Sequence, residues 1–188
     1  MMQTQGARLA VKPIYWGVAR LLDSEFLIAA TDKGLIYLQY QEGDAEQDTV
    51  DEVAWSELTN WARKHFPDYR WTEDKAMLEP YVQQLEEYLR GLRKTFTLPL
   101  DLRGTGFQQN VWRALHEIPH GETVSYSQIA RKLDKTSAVR AVGTAIGANP
   151  VLIVVPCHRV VGKNGALTGY RGGLPNKEKL LGLEKAGL

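Results

Sequence analysis

The chain has 188 residues with 44% hydrophobic and 24% charged side chains, which excludes a disordered or collagen-like protein and suffices for one large or two small domains. Its net charge of +1 conceals a division, because residues 1–100 carry 11 Lys/Arg against 16 Asp/Glu whereas residues 101–188 carry 12 against 6. Apolar runs such as residues 151–155 are too short to cross a bilayer and the N-terminus lacks the layout of a secretory signal, so we expect a cytoplasmic protein with no membrane partner.

The first hundred residues predict a small antiparallel sheet followed by two helices. Residues 14–21 and 26–40 are rich in β-forming side chains, and turn residues at 31–34 interrupt the second segment. After an acidic stretch at residues 42–52, apolar side chains recur with helical spacing, so we expect two helices that cover the sheet. The apolar positions are Val53, Leu58, Trp61 and Ala62 in the first helix and Val82, Leu85, Leu89 and Leu92 in the second. We interpret residues 1–98 as a scaffold domain.

A second domain is predicted to occupy residues 99–188. Leucine alternates with other residue types at 98–102, which predicts a strand that leads out of the first domain. Thr105 is a candidate N-cap for a helix whose apolar side chains recur between Phe107 and Ile118. The glycines on either side of this threonine separate the strand from the helix.

Two shorter helices are predicted next, joined by a polar turn. Ser125 and Gln128 have capping-box spacing and mark the start of the first helix. The second helix should begin at Thr136 or Ser137 and end before Pro150, because proline disfavours helix in the residue that precedes it. Its buried residues should be Ala138, Val142 and Ala145. This layout predicts a helix-turn-helix.

The predicted helix-turn-helix lies in a basic region. Residues 123–171 contain seven Lys/Arg and one Asp, a balance that suits contact with a phosphate backbone but also a solvated basic face. The outward face of the second helix carries an arginine among small residues, namely Arg140, Gly143, Thr144 and Gly147. Small side chains allow close approach of a nucleic acid or of another helix, so both hypotheses stay open.

The chain contains a single cysteine, Cys157, which excludes an internal disulfide and a multi-cysteine metal site. It follows the apolar run at residues 151–155, which predicts a buried strand. A lone cysteine is more often a buried apolar side chain than a nucleophile. His158 and Arg159 nevertheless provide a base and a cation of the kind that activates a thiol. Neighbouring side chains of a strand point to opposite faces, so His158 need not contact the sulfur directly, and a bridging water could carry the proton.

A base such as His158 is oriented by a carboxylate in nucleophile–base pairs, and acidic side chains are scarce after Asp134. The two that remain, Glu178 and Glu184, lie on a helix predicted at residues 175–185. Each is equally compatible with a surface charge paired to a lysine. The residues alone therefore do not choose between them.

The segment IVVPCHRVV at residues 153–161 resembles the acceptor-cysteine signature of the O6-alkylguanine-DNA alkyltransferases, a family of suicide DNA-repair proteins. The resemblance extends over residues 107–184 and includes the segments VSYSQIA, AVRAVGTAIGANP and GYRGGLPNKEKLL. It implies an α/β (α+β) fold with two domains. The N-terminal domain would be RNase H-like, with a small antiparallel sheet plus helices, and the C-terminal domain winged-helix-like, with a helix-turn-helix.

The resemblance also implies the reaction and the groups that carry it. Cys157 would accept the alkyl group from the O6 atom of a damaged guanine, irreversibly. His158, acting through a water, and Glu184 would remove the thiol proton, which selects Glu184 over Glu178. A stacked duplex hides the O6 substituent, so the nucleotide has to be flipped out of the helix first.

Further matching positions are implied to support the transfer. Tyr126 would donate a hydrogen bond toward guanine N3, and Lys177 would assist the proton transfers. Asn149 would stabilise the turn before the cysteine. Tyr170 and the backbone at Arg171 would belong to a loop that closes over the base.

The DNA contacts are implied in the same way. Arg140 would fill the gap left by the extruded nucleotide while the helix around it presses into the minor groove. The carbonyl groups of Cys157 and Val160 would hold the exocyclic amine of the base. The minor-groove surface would be formed by Ala138, Val139, Gly143 and Thr144.

The expected partner is double-stranded DNA containing O6-alkylguanine, bound by a monomer that needs no cofactor and no metal. The first half has no cysteine, so the zinc that some relatives hold there is not expected, nor is a second acceptor. Arg171 stands where some relatives have a small residue, which leaves the range of alkyl sizes open. One alternative is a helix-turn-helix regulator or lesion-flagging protein that binds DNA without transfer. A cysteine hydrolase is another.

Overall fold

A four-stranded sheet and six α-helices make up most of the protein in the computed structural model, which describes residues 11–41 and 50–187. Most of the acidic stretch predicted at residues 42–52 lies outside the described residues. The N-terminal elements are β1 (Lys12–Leu21), β2 (Ser24–Thr31), β3 (Gly34–Gln41), α1 (Glu52–His65), β4 (Tyr69–Glu73) and α2 (Lys75–Leu89). The C-terminal elements are α3 (Gly106–His116), β5 (Val124–Ser125), α4 (Tyr126–Lys132), α5 (Val139–Gly147), a 3₁₀-helix (Cys157–Arg159), β6 (Val160–Val161) and α6 (Leu174–Ala186).

The sheet has the strand order β3-β2-β1-β4, and its first three strands pair antiparallel as predicted. β4, which was not predicted, joins β1 in parallel. Side chains alternate between the faces of β2, so that Leu27 and Ala29 pack toward α1 while Phe26 and Ile28 pack toward α2. The two predicted helices therefore cover the sheet, one on each face.

Three details of the first half differ from the prediction. Val53 is 67% exposed, because it lies in the first turn of α1, off the face that packs on the sheet. Leu92 is 77% exposed, because α2 ends before it. The strand predicted at residues 98–102 is wrong: Leu100 forms only a single parallel bridge to Leu35 at the start of β3.

Helices α4 and α5 form the predicted helix-turn-helix, and α3 packs against both of them. Capping boxes at Thr105 and Ser125 start α3 and α4 as expected. α5 begins later than predicted, since Asp134 and its neighbours form a turn and Ala138 is only a half-buried N-cap. The indole of Trp112 in α3 donates to the carbonyl of Ala145 in α5 over 2.9 Å, which joins the two helices.

The apolar run at residues 151–155 is a buried tight turn, so the predicted strand is wrong. Val151 makes a single bridge to Leu38, and Ile153 has a φ of 69°, which turns the backbone immediately afterwards. All five side chains are almost fully buried in a core shared by both halves of the chain. A continuous run of apolar residues indicates that a segment is buried, but it has no periodicity that would distinguish a strand from a turn. The turn delivers Cys157 to the first position of the 3₁₀-helix.

No helix within residues 11–41 and 50–187 combines the length and the apolar character that spanning a membrane requires.

Candidate active site

Cys157 lies at the wall of a cavity of about 340 Å³ between α5 and the loop that precedes α6. Its side chain is nearly enclosed, with 4% of the residue exposed. The cavity opens beside the outward face of α5, which connects the thiol to the surface of the helix-turn-helix. Its walls are formed by Tyr126, Gly143, Ile146, Gly147, Cys157, Gly169, Tyr170 and Arg171.

Asn149 contacts the sulfur directly. Its amide donates to Cys157 Sγ over 3.2 Å and to the carbonyl of Val155 over 2.9 Å, while its own oxygen accepts from Val151 N–H. The fully buried side chain thereby joins both ends of the tight turn to the thiol. Gln39 of β3 supports this corner by donating to the carbonyl of Asn149.

The thiol is protonated near neutral pH. Burial raises the pKa of Cys157 to about 11, and the hydrogen bond from Asn149 and the charge of Lys177 offset only part of this effect. Arg159 was expected to help lower the pKa of the thiol, and that expectation is wrong. Its guanidinium points away, toward Glu184 and the carbonyl of Ile118. Attack by this sulfur therefore requires that the proton be removed during the reaction.

His158 and Glu184 form a fully buried pair, with Nε2 of the imidazole 2.9 Å from Oε1 of the carboxylate. Glu178 is exposed on the solvent side of α6, so packing resolves the choice that the residues had left open. Burial alone would raise the pKa of Glu184, but hydrogen bonds from His158 and Arg159 hold it well below its usual range. The carboxylate is therefore ionised.

The tautomer of His158 follows from its partner. An ionised carboxylate only accepts, so Nε2 of His158 carries the proton and Nδ1 is the free base. Nδ1 is buried and has no hydrogen-bond partner among the described residues. Burial lowers the pKa of His158 despite the nearby Glu184, so the ring is neutral near pH 7. A neutral imidazole with a free nitrogen is a competent proton acceptor.

Three further groups complete the environment of the Glu184 carboxylate. Arg159 donates to it from two nitrogens at 2.8–3.1 Å, and the backbone N–H of Gly121 reaches Oε2 over 3.0 Å. The hydroxyl of Tyr88, on α2, donates to Oε1 over 2.5 Å. Tyr88 lies three residues after Leu85, on the apolar stripe of its helix. No local signal in the sequence distinguishes it from the neighbouring core positions.

Lys177 is buried and lies next to the cavity without lining it. Its ammonium donates to the carbonyls of Val160, over 2.6 Å, and of Thr168, over 2.7 Å. Burial lowers its pKa. Val160 is itself buried and does not line the cavity. The hydroxyl of Tyr126 lies 3.4 Å from the carbonyl of Thr168. The side chains of Tyr126 and Lys177 therefore both contact the loop before α6.

The remaining predicted residues lie on α5 or in the loop before α6. Arg140 and Thr144 are exposed on α5, Val139 is half-buried at its start, and Gly143 reaches the cavity. Tyr170 lines the cavity, and its ring meets the imidazole of His158 edge-on at 6.4 Å. Arg171 lines it too and pairs with Glu57 of α1 over 2.7 Å.

Comparison with curated proteins identifies the family. The inducible methylated-DNA–protein-cysteine methyltransferase of Bacillus subtilis is 53% identical over 172 residues, which cover 92% of this chain and 90% of that protein. The chain belongs to the methylated-DNA–protein-cysteine methyltransferase family. A methyltransferase of the same name from Methanosarcina acetivorans is 38% identical, over 91% of this chain and 98% of that protein. Members of the family therefore match the chain along nearly its whole length.

Family models and solved structures agree with this membership. Residues 14–102 match the ribonuclease-like domain of 6-O-methylguanine DNA methyltransferase, and residues 106–186 match its DNA binding domain. The crystal structure of Mycobacterium tuberculosis O6-methylguanine methyltransferase has a TM-score of 0.75 and 38% identity, covering 93% of this chain and 94% of that chain. A structure of M. tuberculosis OGT in complex with DNA gives the same TM-score at 37% identity. The predicted fold class is thus confirmed for this methyltransferase.

Proposed function

We propose that this methyltransferase repairs DNA by moving the alkyl group of O6-alkylguanine, mainly O6-methylguanine, to Sγ of Cys157. The observation that carries the proposal is the placement of a single buried thiol at a cavity beside the helix-turn-helix, followed in the chain by His158, which pairs with the buried Glu184. Because the chain has one cysteine, each molecule performs one transfer.

The transfer forms a bond between sulfur and carbon and breaks the bond between that carbon and O6 of guanine. The thiol proton leaves Cys157, passes through a water to Nδ1 of His158, and is balanced by the proton that the leaving guanine gains. Glu184 stabilises the imidazolium that forms in between. The free, buried Nδ1 and the ionised carboxylate support these roles.

Other side chains at the cavity orient the base. Tyr126 donates toward guanine N3 as negative charge moves into the ring, and the backbone carbonyl of Cys157 accepts from the exocyclic amine. The carbonyl of Val160 already accepts from Lys177 and would accept from the amine through its second lone pair. Tyr170 and Arg171 form the loop that covers the flipped base. Their positions on the cavity wall support this assignment for Tyr126 and for both loop residues. Lys177 and Asn149 keep the loop and the cysteine turn in place.

DNA binds along the outward face of α5. Arg140 enters the duplex where the damaged nucleotide has left it, and the helix surface formed by Ala138, Val139, Gly143 and Thr144 lies in the minor groove. The exposed position of Arg140 and the opening of the cavity beside Gly143 support this arrangement. Contacts of this kind follow groove shape and phosphates more than sequence, as a search for scattered lesions requires.

The proposed organisation is a monomer with a scaffold at residues 1–98 and a transferase domain at residues 99–188. We place its activity in the cytoplasm, because a lone acceptor thiol has to remain reduced until it meets a lesion.

Incubation with an equal amount of duplex DNA containing O6-methylguanine is expected to add one methyl group to the peptide that contains Cys157, as measured by mass spectrometry. A Cys157→Ser variant should bind the duplex but gain no methyl group. An unmodified peptide after full exposure contradicts the proposal and favours a regulator or lesion-flagging protein. In a second incubation with the duplex in molar excess, more than one product per protein molecule favours a hydrolase.

The rate constant of transfer is expected to be nearly constant between about pH 7 and pH 9, because neutral His158 takes the proton from a thiol that stays protonated in this range. Below this range the rate should fall as His158 becomes protonated, at a pH below its usual pKa of about 6.5. Quench-flow measurements at constant ionic strength test this profile. A rate that instead rises about tenfold per pH unit from 7 to 9 would indicate attack by free thiolate without a base.

A further inference from the structure

We propose that Tyr88 is a positioning residue for alkyl transfer, holding the Glu184 carboxylate in the orientation that aligns the imidazole of His158. The residue belongs to α2, in the half of the chain interpreted as a scaffold, yet its hydroxyl lies inside the buried cluster. This inference rests on the proposed function, because it assigns Tyr88 to the same proton transfer.

Tyr88, His158 and Glu184 meet at one oxygen atom. Oε1 of the carboxylate accepts from the tyrosine hydroxyl over 2.5 Å and from Nε2 of the imidazole over 2.9 Å. The hydroxyl and Nε2 are themselves 3.4 Å apart. All three side chains are fully buried, so water does not compete for these contacts.

The direction of the tyrosine hydrogen bond is determined by charge. Burial and the neighbouring carboxylate raise the pKa of Tyr88, so the hydroxyl keeps its proton and donates. Arg159 contacts both carboxylate oxygens and Gly121 N–H holds Oε2. Oε1, the atom on which His158 depends, is thus restrained by Arg159 and by Tyr88, which is its donor from α2.

Removal of the hydroxyl should have two separable effects. The charge on Oε1 would be less compensated, which strengthens its attraction for a protonated His158 and raises the pKa of that ring. The carboxylate would also lose one restraint on its rotation, so Nδ1 would face the cysteine less often and transfer would be slower. Among the described residues, the titratable and charged groups around His158 and its partners are Cys157, Arg159, Tyr88, Tyr170, Lys177, Glu184 and His120, which packs edge-on against Tyr88.

The test compares Tyr88→Phe with the unaltered chain. Phenylalanine keeps the ring that packs 5.1 Å from Phe96, so the variant should remain folded. We expect transfer to O6-methylguanine DNA to slow by about tenfold to a hundredfold, the effect of losing one hydrogen bond to a charged group. An NMR titration should place the pKa of His158 higher by about half a unit.

Tyr37→Phe is the matched control, because Tyr37 is equally buried in the same half of the chain and its hydroxyl has no partner among the described residues. It should leave both measurements unchanged. The proposal is overturned if Tyr88→Phe transfers at the normal rate, if it slows transfer without moving the pKa of His158, or if Tyr37→Phe has the same effects. If the unaltered chain transfers no methyl group, the proposed function fails, and the titration alone then decides whether Tyr88 acts on the pair.

Discussion

Replacement of Glu184 with alanine is expected to destabilise the protein by about 3–5 kcal/mol and to slow methyl transfer by at least about a hundredfold. Arg159 would keep a buried charge with no carboxylate to neutralise it, and His158 would lose the acceptor that fixes its tautomer. Urea unfolding and single-turnover transfer measure the two effects. Both should be large, because one side chain neutralises the cluster and orients the base.

Glu178→Ala is the control for this prediction, since Glu178 is exposed on the same helix. It should change the free energy of unfolding by no more than about 0.5 kcal/mol and leave transfer unaffected. If Glu184→Ala does not fold, Glu184→Gln retains an acceptor oxygen and is used for the rate measurement. Normal transfer by a folded Glu184 variant would show that His158 acts without a carboxylate partner.

Arg140→Ala is expected to slow repair of O6-methylguanine in duplex DNA by about tenfold or more, while its reaction with free O6-benzylguanine stays unchanged. The duplex pays the energetic cost of unstacking a nucleotide, and the arginine lowers that cost by filling the gap, whereas a free base has no stack to leave. The measurement is the rate of each protein on the two substrates under identical conditions. The ratio of the duplex rate to the free-base rate should fall in the variant.

Arg131→Ala removes a positive charge from the exposed end of α4 and serves as the control for simple electrostatic attraction. It should weaken duplex binding only modestly, and less so at higher salt. Equal losses for the two arginine variants would assign Arg140 to phosphate attraction. Equal losses on duplex and free base would assign it to the cavity.

Local sequence rules predicted those elements whose signals are themselves local. The capping boxes at Thr105 and Ser125 start their helices as expected, because a cap depends on residues only three positions apart. The β-forming side chains of the first strands and the turn residues at 31–34 likewise predicted an antiparallel sheet. The resemblance around Cys157 indicated the family, and the comparisons confirm it.

The site itself was only partly predictable. The motif placed His158 beside Cys157 but also suggested that Arg159 would activate the thiol, whereas the guanidinium neutralises Glu184 instead. Tyr88 had no distinguishing signal, because a tyrosine on an apolar helical stripe looks like any core residue. Its role depends on a carboxylate 96 residues away in the sequence.

The sequence by itself determined that the chain has one thiol, that a capped helix starts at Ser125 in a basic region, and that the carboxylate partner of His158 is Glu178 or Glu184. Only the tertiary structure decided that the apolar run before Cys157 is a turn, that Glu184 is the buried partner and that burial raises the pKa of the thiol. These properties depend on which distant segments surround a group, since desolvation and hydrogen bonding are determined by neighbours in space. Spacing along the chain cannot report them.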